Sequence, residues 1–378
     1  MLAGLAGGGL VAGCSSSTTS ARTPSPSVPA PSSGTSVSPA PTSLAPSSPA
    51  TPPAGPPNPQ VAGTIASGLE VPWGLTFLPG GDALVSERNS GRILRITPAG
   101  GVTPLGTVPG VQAPTGSGEG GLLGLVLDGR DPSVLYAYLS TADDNRVVRI
   151  SVAGGRLGAS EPVLTGIPRA TFHNGGRLLM TPDQTLLVTT GDAGVGSRAQ
   201  NKASLAGKIL RITTDGQPAP GNPFGTHVWS YGHRNAQGLA YDAEGRLWSS
   251  EFGEKASDEL NLITPGGNYG WPAVEGASND PAYVAPAVTW SPTSTSSPSG
   301  LAITRGHAYV AALMGRCLFQ IPLQGATAGQ PTALFAGEHG RLRTVAAAPD
   351  GSLWVTTSNR DGRVSPGPDD DKILRVTL

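Results

Sequence analysis

With only five histidines in 378 residues, each imidazole is conspicuous, and His173 sits in the stretch with the most local chemistry. Residues 171–192 read TFHNGGRLLMTPDQTLLVTTGD. His173 precedes an asparagine and a glycine pair, where backbone can approach a ligand closely. Two strand-like runs follow, 177–181 and 185–190, with a polar turn between them, and the second ends at Gly191-Asp192. A hairpin of that length would return Asp192 to the rim that carries His173. An imidazole oriented by a carboxylate is what a general base requires.

Other chemistry-bearing residues fall in three further stretches. Residues 231–238, YGHRNAQG, place imidazole, guanidinium and amide in succession, with Arg234 and Asn235 adjacent. Residues 250–270, SEFGEKASDELNLITPGGNYG, set carboxylates beside glycines. Residues 340–343, GRLR, present Arg341 and Arg343 two positions apart, hence on one side of an extended strand. Each alone reads equally well as a solvated loop. Converging on one face, they would suit a small polyanion with a hard cation, because guanidinium matches carboxylate bidentately and carbonyl oxygens suit calcium. No Cys/His cluster supports zinc, and no Gly-rich phosphate loop opens a helix. The glycine-rich run 116–121, GSGEGG, reads as a loop between strands, and no nucleophile elbow marks a hydrolase triad.

The elements that must position these residues repeat along the chain. Residues 73–85, 121–138, 176–188, 238–248, 300–310 and 344–355 each read as strand, turn, strand, followed by a third apolar strand such as RILRIT at 92–97 or KILRVT at 372–377. Six such units, spaced by about 45–65 residues without helical periodicity, predict the blades of a six-bladed β-propeller, an all-β fold. A pair of β-sandwiches is the competing arrangement. Residues 61–65 would supply the outer strand of the last blade and close the ring, so that 61–378 form one domain.

Composition supports this reading and narrows the partners. The 54 glycines and 37 prolines imply many turns, and a net charge of −1 offers no global attraction to nucleic acid or an anionic membrane. The first fourteen residues, MLAGLAGGGLVAGC, form an apolar run ending in small residues before Cys14, like a bacterial lipobox, though without the usual positive charges ahead of it. Cys14 would then carry the lipid, placing the protein on the extracytoplasmic face of a bacterial membrane and touching that membrane only through the anchor. Residues 15–60 are almost all Ser, Thr, Pro, Ala and Gly, too polar to offset chain entropy, and predict a disordered tether. The only other cysteine, Cys317, lies in an apolar context and reads as a packed thiol.

From about residue 61 to the C-terminus the chain resembles the soluble quinoprotein sugar dehydrogenases, the glucose/sorbosone and aldose sugar dehydrogenase family. The resemblance rests on EGGLLG at 119–124, HNGGRL at 173–178, Gly191-Asp192, RAQ at 198–200, GKILR at 207–211, NPF at 222–224, GHRNAQG at 232–238, DELN at 258–261, NYGWP at 268–272 and GRLR at 340–343. It implies pyrroloquinoline quinone (PQQ) and calcium as cofactors, a sugar or alcohol substrate and an electron acceptor of unknown identity. By the same resemblance, His173 takes the hydroxyl proton, Asp192 orients it, Glu119, Arg234 and Asn235 contact the quinone, and Arg341 with Arg343 grip its carboxylates. Backbone carbonyls of Gly253 and Glu254 fall where the family ligates the cofactor calcium. Asp258, Glu259 and Tyr269 fall where a second, structural calcium is held. The chain departs from the pattern at Glu119, where relatives have glutamine, at Phe252 and Glu254 around Gly253, and at Met314, where glucose-oxidising members carry a lysine that Arg316 would have to replace. Two other functions fit the same loops: a non-catalytic propeller lipoprotein that binds a partner, and a calcium-dependent lactonase.

Overall fold

The computed structural model describes residues 57–378. The apolar leader, Cys14 and the Pro/Ser tract through residue 56 lie outside the described residues. Within them the chain forms six antiparallel sheets, five of four strands and one of five. The first strands of successive sheets are Pro72–Phe77, Leu122–Leu127, Leu178–Met180, Ala236–Tyr241, Pro298–Thr304 and Leu342–Ala347. Each touches the next in this order, and the sixth touches the first, so they form the inner wall of a closed six-bladed propeller. The last blade is completed from the other end of the chain: Gln60–Ala66 pairs antiparallel with Ile373–Thr377. The predicted tether therefore ends earlier than residue 60, and the Pro57 carbonyl already accepts from Gln320 Nε2 at 3.2 Å.

The first four repeats each carry one strand more than the three read from sequence, the fifth carries two more, and the sixth gains only the closing strand already expected near residues 61–65. The additional strands, among them Val102–Thr107 and Ser160–Ile167, form the outer edges, lack apolar alternation and include Pro104 and Pro162. Proline is tolerated there because an outermost strand has no further neighbour to bond. The inner strands obey the opposite constraint. A β-carbon at Gly74 would stand 2.5 Å from the Leu123 carbonyl, and one at Gly300 would stand 2.7 Å from Thr344 Cα. Glycine here lets neighbouring blades meet backbone to backbone around a narrow channel.

Hydrophobic clusters fill the wedge between each pair of neighbouring blades. Trp73, Trp248 and Trp354 are their largest fully buried members. Cys317 is a buried free thiol in one of them, as its context predicted, and burial pushes it up to about 12. Arg177 projects into the channel, where its Nε donates to the Gln237 carbonyl at 2.7 Å, Nη2 donates to Thr344 Oγ1 at 3.2 Å, and the guanidinium lies 4.2 Å from the Trp73 ring centre. One side chain thus links four blades.

A chain beginning at Pro57 is expected to keep the full-length melting midpoint. One beginning at residue 67 loses the strand Gln60–Ala66 and leaves the ring unclosed. Its midpoint should fall by about 10 °C or more, the shift produced by losing several kcal/mol in a domain of this size. Thermal unfolding followed by circular dichroism separates the two.

Candidate active site

The rim of the inner wall collects the predicted residues. The runs before Leu178–Met180 and after Leu186–Thr190 emerge side by side, and the hairpin places His173 Nδ1 2.8 Å from Asp192 Oδ1. His173 adopts φ of +59°, a left-handed conformation costing about 1–3 kcal/mol in a non-glycine residue. Its surroundings impose that geometry. The His173 N–H donates to Glu119 Oε2 at 3.0 Å, its carbonyl accepts from Ala193 N at 3.2 Å, and a β-carbon at Gly191 would overlap that carbonyl. The adjoining Asn174 is buried and bonded to Ala170 and Asn145, which pins the loop.

Asp192 is built to stay ionised. Burial alone would raise its carboxyl, but hydrogen bonds from His173, the Gly194 N–H and Trp271 Nε1 outweigh burial and hold it below the usual range. With Nδ1 engaged by a carboxylate, the Nε2 of His173 has no hydrogen-bond partner among the described residues. It is the position from which the ring can accept a proton.

Beside His173 opens a cavity of about 290 Å³ lined by Glu119, Arg234, Asn235, Gly253, Glu254, Asp258, Arg341 and Arg343, all expected from sequence. Arg234 is held by its own N–H on Glu251 Oε1, by Nη1 on the Phe252 carbonyl at 3.4 Å, and by Trp271, whose ring centre lies 5.3 Å from its guanidinium. Asn235 Oδ1 accepts from Gly175 N at 3.0 Å, which leaves its NH2 as the group available to a ligand. Its neighbour His233 turns fully inward between Glu251 and Ser230 and stacks on Tyr269.

The arginine pair shares a carboxylate that the sequence reading did not single out. Asp361 Oδ2 lies 3.0 Å from Arg341 Nη2 and 3.7 Å from Arg343 Nη2, and Arg363 reaches it at 3.8 Å. Arg363 also bridges to Glu119 at 3.1 Å, while buried Arg88 feels Asp361, Arg363 and Glu119. Four guanidinium groups thus gather around Asp361 and Glu119, with Asp371 also acting on Arg88. Burial pushes Arg343 down to about 9, an effect Asp361 only partly offsets. The Nε atoms of Arg234 and Arg343 are buried without any partner. Buried donors of this kind call for an acceptor. No local signal could have revealed Asp361 or Arg88, since each becomes relevant only through contacts across the ring.

Three expectations need correction. Asp258 does not join Glu259 and Tyr269: on the strand Asp258–Ile263 adjacent side chains face opposite ways, so Asp258 faces the main cavity and Glu259 a small pocket behind it with Tyr269, Glu251 and Glu275. The Tyr269 hydroxyl is no free ligand, because it donates to the Leu262 carbonyl at 2.8 Å and accepts from Thr264 N at 2.9 Å. Arg316 lines a separate cleft beside Glu338 and Lys372, whereas Met314 lines the anion cavity and leaves the lysine position uncharged. Among the described residues, no three His, Cys, Asp or Glu side chains gather as a metal-binding group.

The fold and site define a six-bladed propeller with an arginine-lined cavity beside a carboxylate-oriented imidazole at the channel mouth. The chain belongs to the glucose/sorbosone dehydrogenase family, whose sequence profile matches residues 69–366, and it is an oxidoreductase of that type. It is 47% identical to an aldose sugar dehydrogenase of Streptomyces coelicolor, solved in its PQQ-bound form; the superposition covers 86% of this chain and 99% of that one, with a TM-score of 0.82. It is 28% identical over 340 residues to the aldose sugar dehydrogenase YliI of Escherichia coli strain K12, covering 79% of this chain and 91% of that protein. To the quinoprotein glucose dehydrogenase B of Acinetobacter calcoaceticus it is 32% identical over 257 residues, covering 58% of this chain and 54% of the other.

Replacing Asp361 by Asn strands the buried arginines and is expected to cost about 3–5 kcal/mol, the penalty for removing one partner of a buried ion pair. Burial tends to raise the Asp361 carboxyl, but Arg341, Arg343 and Arg363 hold it below the usual range. Its stabilisation is therefore complete above the unfolded-state value of about 3.9 and lost as pH falls through the lower folded value. Urea unfolding of wild type and Asp361→Asn should differ most at neutral pH and converge at pH below about 3.9.

Proposed function

We propose that the protein oxidises an aldose-type sugar or a related alcohol, using PQQ and calcium held in the arginine-lined cavity. The observation that carries this reading is the convergence of Arg234, Asn235, Arg341 and Arg343 on one cavity beside His173, with the buried Nε atoms of Arg234 and Arg343 left without partners. A flat polycarboxylate supplies the acceptors these donors lack. Arg341 and Arg343 would hold its carboxylates, and Arg234 with Asn235 would face its quinone oxygens. Calcium would be held chiefly by the Gly253 and Glu254 carbonyls and by the cofactor, because hard oxygen donors suit that ion. Bound there, the quinone supplies the two-electron acceptor for the substrate hydrogen.

The chain's own contribution begins at the substrate hydroxyl. His173 Nε2 takes the hydroxyl proton, while Asp192, through its 2.8 Å contact at Nδ1, fixes the ring and stabilises the imidazolium that forms. Trp271 couples the two halves of the site: its Nε1 donates to Asp192 Oδ2 at 2.8 Å and its ring flanks Arg234. Glu259, raised by burial and by neighbouring Glu251, lines the rear pocket and faces away from the anion cavity. Anchoring through a lipid at Cys14, on the outer face of a bacterial membrane, belongs to the same proposal and is supported by the small residues before that cysteine. Among the described residues no helix is long and apolar enough to cross a membrane.

His173→Asn is expected to fold and bind PQQ while turnover falls by about 10²–10⁴, the usual contribution of a general base. Asp192→Asn should cost a similar amount or less. Steady-state kinetics normalised to bound quinone provide the test, and full turnover in His173→Asn would remove the assignment. Arg341→Ala should weaken PQQ affinity by about 1.5–3 kcal/mol, the range for hydrogen bonds to charged groups, and lower kcat less. Calorimetry at fixed calcium measures it, and equal affinities would count against this anion site.

A further inference from the structure

Glu275 lies outside the anion cavity and has no part in the chemistry above. One of its oxygens, Oε1, accepts four consecutive backbone N–H groups: Glu254 at 2.5 Å, Lys255 at 2.8 Å, Ala256 at 2.9 Å and Ser257 at 3.2 Å. The preceding N–H, of Gly253, is taken by Asp258 Oδ1 at 2.8 Å. Five successive peptide donors therefore end on two carboxylates, and the loop is wrapped around that of Glu275. A β-carbon at Gly253 would overlap the Ser257 carbonyl and stand 2.5 Å from Glu275 Oε1, so the wrap requires glycine at that position.

The consequence concerns the carbonyls. In a planar trans peptide the C=O of one residue points opposite to the N–H of the next. With the N–H groups of Glu254 and Lys255 turned to Glu275, the carbonyls of Gly253 and Glu254 must point away from it. Away from it lies the anion cavity: Gly253 and Glu254 line that cavity, whereas Glu275 lines the small pocket on the other side of the loop. The Glu254 carbonyl is approached at 3.4 Å by the hydroxyl of Thr293, itself a cavity residue, and no donor among the described residues reaches the Gly253 carbonyl. An anionic acceptor also polarises the peptide groups bonded to it, making their carbonyl oxygens better donors to a cation.

We infer that Glu275 is a positioning residue that aims the Gly253 and Glu254 carbonyls into the cavity and thereby sets the calcium affinity of the cofactor site. This rests on the PQQ and calcium reading given above. Removing the carboxylate frees four N–H groups to seek water and lets the loop's peptides rotate. Calcium affinity then falls, while the anion-gripping arginines and the His173–Asp192 pair are untouched.

The test is an absorption titration of the full-length protein with PQQ across a calcium chloride series. Glu275→Ala should need about 10–100-fold more calcium for half-maximal PQQ binding, the effect usual for loss of a residue behind a metal ligand. Glu275→Gln, which keeps the volume and a neutral acceptor, should show a smaller shift in the same direction and remains measurable if the alanine variant folds poorly. Saturating calcium should restore wild-type PQQ stoichiometry in both. A purely structural role would instead lower the melting midpoint with calcium half-saturation unmoved, and that result overturns the inference. If wild type itself binds PQQ equally in calcium and in chelator, the calcium reading fails and this inference with it, while unequal wild-type binding with unmoved variants sinks the inference alone.

Discussion

Ring closure is the constraint on which the rest of the molecule depends. Six inner strands must meet around one channel, and they meet backbone to backbone because glycines such as Gly74 and Gly300 leave no room between them for a side chain. Inside the channel Arg177 spans from Gln237 to Thr344 and Trp73, and burial lowers it to about 9. The strand Gln60–Ala66 then locks the last blade from the far end of the chain. A closed ring has no exposed inner edge, so loops at its mouth sit on a rigid base.

That rigidity allows the site to hold unfavourable electrostatics. Arg88, Arg341, Arg343 and Arg363 would repel one another in a flexible loop region, but here they are fixed around Asp361 and Glu119. The partnerless buried nitrogens of Arg234 and Arg343 are a cost to the fold that a bound polyanion would offset. Across the cavity the problem is reversed: burial pushes Asp258 up to about 6 despite hydrogen bonds from Ser296, Gly253 and Ser297. One end of the cavity thus favours anions and the other a cation, the polarity expected where a quinone carboxylate and calcium lie together.

Different residues were legible for different reasons. His173 and Asp192 could be paired from sequence because a hairpin is local: its length sets where its ends return. Arg341 and Arg343 could be placed on one side because strand alternation is local as well. Asp258 and Glu259 obey the same alternation, and grouping them in one site overlooked it. Trp271 appeared in the sequence only as part of the NYGWP run, yet it joins Asp192 to Arg234, two residues on neighbouring blades.

The sequence by itself determined the number of blades, the inner glycines, the strand that closes the ring and the residues at the channel mouth. Most of these follow from periodicity and turn chemistry within a few tens of residues, and the closing strand follows from the repeat count, since its partner lies at the far end of the chain. Only the tertiary structure decided which carboxylate each arginine meets, that His233 turns inward while Arg234 turns to the cavity, and that Glu275 stands behind the carbonyls of Gly253 and Glu254. Such choices depend on distances between blades, set by how the wedges between them pack, and burial then decides which charges remain unpaired.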